Sequence, residues 1–80
     1  MKAHELKIKS CFFREIINCE KTFELRYNDR DYRVGDILLL REYDVDYTGH
    51  VALVEVTSIL KEHDGLKAGF VIMSTKLLWS

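Results

Sequence analysis

The sequence predicts a mainly β (α+β) fold, a small five-stranded β-barrel with one early α-helix. Three observations lead there. Apolar residues alternate with period two in several segments, the mark of half-buried strands. A single stretch, residues 12–17, instead follows the helical period. Glycines at 35, 49, 65 and 69 punctuate the chain at intervals that suit turns, and there is no proline. Five strands in a flat sheet leave two open edges, and closure into a barrel removes them. At 80 residues the chain makes one domain, 1–80, and its 48% hydrophobic content supplies a modest core.

Segment 4–9, HELKIK, sends His4, Leu6 and Ile8 one way and Glu5, Lys7 and Lys9 the other. Ser10 is placed to cap a helix through its hydroxyl. Within that helix Phe12, Phe13, Ile16 and Ile17 form an apolar stripe, and two or three turns this short need docking to be stable. Segment 22–28, TFELRYN, alternates Phe23, Leu25 and Tyr27 against Thr22, Glu24, Arg26 and Asn28. The polar run 28–31 and Val34-Gly35-Asp36 turn the chain into 37–44, ILLLREYD. Residues 46–49 are read as the turn of a hairpin into 51–60, where Ala52, Val54, Val56 and Leu60 share a face. Strand 70–78, FVIMSTKLL, ends the order β-α-β-β-β-β.

A net charge of −1 excludes a strongly basic nucleic-acid binder. Residues 1–33 nevertheless carry a small positive excess and residues 34–80 a negative one, which points to a local basic site. Cys11 and Cys19 flank the helix about 12 Å apart, too far for a disulfide. With no Cys-x-x-Cys motif and no apolar leader in MKAHELKIKS, a reduced, cytoplasmic protein is expected. The longest apolar run, Ile37–Leu40, is far too short to span a membrane.

The chemistry concentrates in Lys21, Glu24 and Arg26, spaced K-x-x-E-x-R. Glu24 and Arg26 leave the same face of a strand. Arg26 offers a rigid fork of donors for phosphate or carboxylate, Lys21 a mobile point charge, and Glu24 an acceptor for an exocyclic amine or for Arg26 itself. One acceptor between two cations suits a nucleotide. The same trio also fits a solvated, self-paired face worth about 0–1 kcal/mol. If strand 4–9 pairs with strand 22–28, Lys7 and Lys9 join that face. Arg41, after a buried run, and Tyr47, near a hairpin end, are further candidates for ligand contact, Tyr47 as a stacking platform.

Other clusters offer less. His4, His50 and His63 lack ligand spacing, and no metal site or cofactor is called for. Glu42, Asp44 and Asp46 lack a calcium-loop pattern and read as a solvated acidic hairpin. Tyr32 is expected to pack beneath the Gly35 turn, and Trp79 to close the barrel or meet a second copy. No Gly-rich phosphate loop or Gly-x-Ser-x-Gly is present.

The stretch Cys19-Glu20-Lys21-Thr22-Phe23-Glu24-Leu25-Arg26 resembles the G-x-K-x-x-E-x-R signature of ASCH domains, small PUA-like β-barrels named for homology to activating signal cointegrator. Cys19 stands where that signature has glycine. "HELKIK" and "NDRDYRVGDILLLREYD" are also similar to the small bacterial and phage members. The resemblance implies a cleft beside the barrel lined by Lys21, Glu24 and Arg26, with RNA or a nucleotide as ligand. A related branch hydrolyses N4-acetylcytidine with a nucleophilic Thr where this chain has Glu24. An amidohydrolase on an acylated nucleoside, with Lys21 and Glu24 catalytic, is therefore one alternative. A protein-interaction module is the other.

Overall fold

A computed structural model describes residues 1–80. β1 (Ala3–Lys9) buries His4, Leu6 and Ile8 and exposes the residues between them, as its alternation requires. α1 (Ser10–Ile17) follows directly and buries Phe13 and Ile16. Ser10 does not cap it: Lys9 occupies the cap position and no side chain bonds the first turn. The Ser10 hydroxyl instead lies toward the Glu42 carboxylate, whose pKa it helps to lower. The remaining strands are β2 (Phe23–Tyr27), β3 (Ile37–Asp44), β4 (Asp46–Lys61) and β5 (Phe70–Trp79).

The sheet order is β1-β3-β4-β5-β2. β1 runs parallel to β3, and every other pairing is antiparallel. The sheet curls into a half-barrel around Leu6, Ile8, Leu38, Leu40, Ala52, Val54, Val56, Val71 and Met73, with Phe13 and Ile16 of α1 packed into the same core. No helix is long and apolar enough to cross a membrane.

Two expectations change here. β1 does not pair with β2; they are the opposite edges of the sheet. The curl brings those edges together without a ladder, so the seam is bridged by side chains. Arg26 donates from a terminal guanidinium nitrogen to the Lys7 carbonyl at 3.0 Å, and Arg30 donates to the Glu5 carbonyl at 2.8 Å. Backbone polarity explains the choice. The Lys2 carbonyl accepts from Ile37 on β3. Strand alternation then turns the odd-numbered carbonyls of β1 toward the free edge. The second change is in the hairpin. β4 begins at Asp46, so the turn is the single residue Val45 at φ 64°, and residues 46–49 continue as strand.

β4 also changes face midway. Its register with β5 shifts between Val56 and Ser58. Ala52, Val54 and Val56 are buried as expected, but beyond the shift Leu60 is 44% exposed and Ile59 packs on the core. A bulge inserts one residue and moves later side chains to the other face.

A buried clasp fixes the start of β1. Asp36 accepts from the Lys2 and Arg33 amides at 3.0 Å each and from His4 Nε2 at 2.8 Å. An ionised carboxylate only accepts, so this nitrogen of His4 carries the hydrogen. Tyr32, buried beside the Gly35 turn, meets the His4 ring edge-on at 4.9 Å.

Candidate functional site

β2 is inside out relative to its apolar pattern. Phe23, Leu25 and Tyr27 face outward at 47%, 53% and 57% exposure, while Glu24 is 2% exposed. A carboxylate this deep needs partners. Lys21 Nζ donates to Glu24 Oε1 at 2.8 Å and Arg26 Nε to Oε2 at 3.0 Å. Both oxygens are held, and the trio forms one unit on the inner side of the seam. The charges are self-paired, as the second reading of them has it, but Glu24 is buried rather than solvated. The Lys21 and Arg26 side chains are 15% and 25% exposed.

Around the trio lies a cleft of about 540 Å³, bounded by the end of β1, the first turns of α1 and the start of β2. Lys7, Lys9, Phe12, Lys21, Phe23, Glu24 and Arg26 are among its lining residues. The rings of Phe12 and Phe23 each lie 5.2 Å from Lys21 Nζ, within cation–π range. Phe12 is 42% exposed. Its membership of the apolar stripe hid this role: Phe13 and Ile16 of that stripe are buried and Ile17 packs against the core, while Phe12 does not. One of the ammonium's three hydrogens is thus held by the carboxylate, with the two rings beside it. Further hydrogens on Lys21 and Arg26 remain for a guest.

Lys7 and Lys9 reach the cleft from the opposite edge, despite belonging to the outer face of β1. Arg41 and Tyr47 do not line it. They sit on the outer face of β3 and β4, with the Arg41 guanidinium 3.9 Å from the Tyr47 ring centre. Arg41 is paired to Glu5 at 3.4 Å. Trp79 does not close the barrel: it is 59% exposed and borders a small cavity of about 260 Å³. Another cleft, about 530 Å³, lies at the far end of β2 between Tyr27, Lys61, Lys67 and Phe70, away from the motif.

The acidic hairpin is likewise corrected. Asp44 and Asp46 are exposed, but Glu42 is buried and accepts from Thr48 Oγ1 at 2.7 Å and from His50 Nδ1 at 3.2 Å. The hydrogen bond from Thr48 holds its carboxyl below the usual range. Burial opposes that, and Ser10 and His50 add to the lowering. Period two from Leu38 and Leu40 puts Glu42 inside; that signal was present in the sequence.

At the entrance to β2, Cys19 has φ 58°, the left-handed region. That region favours glycine and strains other residues. Cys19→Gly is expected to stabilise the fold by about 0.5–1 kcal/mol, read as a higher urea midpoint at unchanged slope.

The profile of a family described as "Domain of unknown function (DUF3850)" matches residues 3–75. This chain belongs to the DUF3850 family. A curated relative of this DUF3850 domain, described as "Uncharacterized 12.9 kDa protein in GpA 3'region" of Escherichia phage P2, is 31% identical over 67 residues. The alignment covers 82% of the chain but only 62% of the phage protein's length. Among solved structures, the crystal structure of hypothetical protein PH0355 matches with a TM-score of 0.68 and 18% identity, covering 98% of this chain and 100% of that one. At that identity the likeness speaks for the half-barrel alone.

Proposed function

We propose that the seam cleft of this DUF3850 domain binds a nucleotide or RNA, with Lys21 and Arg26 contacting a phosphate or polar base edge. The observation that carries this is the buried Glu24 clamping both cations in place while they still line an open cleft. A carboxylate beneath two cations fixes their direction, so less side-chain entropy is lost when an anion binds. Phe12 and Phe23, partly exposed beside Lys21, supply faces on which a base can stack. The resemblance of residues 19–26 to the ASCH signature favours the same ligand class.

The amidohydrolase alternative finds less support. Glu24 is 2% exposed and each of its oxygens already accepts from a cation, an arrangement that suits holding Lys21 and Arg26 better than meeting a substrate carbonyl. Thr22 lies just before β2, and its carbonyl accepts from Thr75.

Calorimetric titration with UMP tests the proposal. Binding is expected at about micromolar affinity or weaker, with a shallow salt slope because few phosphates are neutralised. Lys21→Ala is expected to weaken binding about tenfold or more, the loss of one charge-assisted hydrogen bond. A Lys21→Ala domain that stays folded and binds UMP as the parent does would overturn the proposal.

A further inference from the structure

We infer that the ligand is a single strand of nucleic acid rather than a lone nucleotide, and that it leaves the seam cleft across the outer face of β1, β3 and the start of β4. This rests on the nucleotide-binding reading of the cleft and names the class of ligand for it.

The register makes the path continuous. Lys7 lies beside Arg41, Lys9 beside Tyr43, and Tyr43 beside Tyr47. Neighbouring residues in register share a face of the sheet. Lys7 and Lys9 also line the seam cleft, so the two surfaces meet at β1. On the outer face Lys7 Nζ lies 4.4 Å from the Tyr43 ring centre, Arg41 lies over Tyr47, and the two tyrosine rings meet edge-on at 5.2 Å. Cations and aromatic rings thus alternate along a short surface path, the combination that tracks a phosphate backbone while stacking bases.

The charge on this path is locally positive although the chain is not. On the outer face Arg41 pairs with Glu5, while at the cleft Lys7, Lys9, Lys21 and Arg26 outnumber Glu15, Glu20 and Glu24 by one. The exposed Asp44 and Asp46 lie at the hairpin tip and set an end to it. From β1 to β4 the path crosses two strand spacings, on the order of 10 Å. A nucleotide seated with its phosphate at Arg26 fills the cleft and leaves Arg41 and Tyr47 untouched, whereas the next nucleotides of a strand reach them.

Parallel titrations with UMP and with an eight-nucleotide oligouridylate test this. The oligomer is expected to bind at least about tenfold tighter than UMP and to show the steeper salt dependence. Tyr47→Ala and Arg41→Gln, both on the outer face, are each expected to cost the oligomer about fivefold or more while leaving UMP unchanged. Equal affinity for the two ligands, or an oligomer indifferent to both substitutions, overturns the path while UMP binding through Lys21 keeps the cleft. Loss of both ligands' binding overturns the cleft and the path together. Crosslinking that maps the oligomer to Phe70 and Lys67 instead overturns the path in favour of the far cleft.

Discussion

Glu24→Ala is expected to lower the unfolding free energy by about 2–4 kcal/mol. The carboxylate is almost wholly buried and both its oxygens are bonded, so its removal strands two partly buried cations. Removing one partner of a fully buried pair costs about 3–5 kcal/mol, and the residual exposure of Lys21 and Arg26 trims that. Arg26 also bridges to the Lys7 carbonyl, so a displaced guanidinium loosens the seam as well. Urea denaturation of the variant checks the figure. A loss under about 0.5 kcal/mol would mark an ordinary surface pair. Glu24→Gln separates the functional consequence from the structural one. It removes a negative charge beside the cleft, so a simple count of charge predicts tighter nucleotide binding. Preorganisation predicts the opposite, because the neutral amide holds Lys21 and Arg26 less firmly. Weaker UMP binding by a folded Glu24→Gln domain is the expected result.

Asp36→Ala is expected to cost about 3–5 kcal/mol, the largest effect outside the hydrophobic core. It removes the acceptor of three hydrogen bonds and leaves the Lys2 and Arg33 amides and a buried His4 without it. Each orphaned buried donor costs about 1–3 kcal/mol. The same carboxylate gives the parent a signature in acid. Burial pushes the Asp36 carboxyl up, but the bonds from His4 and from the Lys2 and Arg33 amides outweigh it and hold the pKa at about 2, below the ordinary 3.8. A depressed carboxyl stabilises the fold fully above its unfolded value and loses that contribution as pH falls toward the folded one. Stability is therefore expected to drop by on the order of 1–2 kcal/mol between about pH 4 and pH 2 from this group, after discounting for solvent screening. In Asp36→Asn that step is expected to disappear from the stability–pH curve. A variant that loses as much stability over the same interval as the parent contradicts the clasp.

The two devices differ in how readable they were. β1 and the core face of β3 follow from alternation alone, since Leu6, Ile8, Leu38 and Leu40 have no competing polar bonds. β2 shows where alternation misleads. Its apolar residues read as the inner face, yet Glu24 takes that place because Lys21 and Arg26, three and two residues away, satisfy it locally. The K-x-x-E-x-R spacing announced the trio but not its burial. The second half of β4 was lost to a bulge that no single residue advertises. His4 and Asp36 are 32 positions apart, and their contact depends on β1 pairing with β3, a parallel pairing the element order alone does not specify. The cleft's aromatic walls were hidden for the same reason: Phe12 looked like core until the curl of the sheet placed it beside Lys21.

The central claim is that Lys21, held by Glu24, and Arg26 present a prepared anion site in the seam between β1 and β2. Chemical-shift mapping during titration with UMP tests it most directly, using backbone amides together with the Arg26 Nε and Lys21 Nζ signals. The account predicts saturable shifts confined at first to Lys21, Phe12, Phe23 and Arg26, with the Arg26 Nε hydrogen still bonded to Glu24 at saturation. Shifts that gather around Phe70 and Lys67, or none at millimolar UMP, would contradict it.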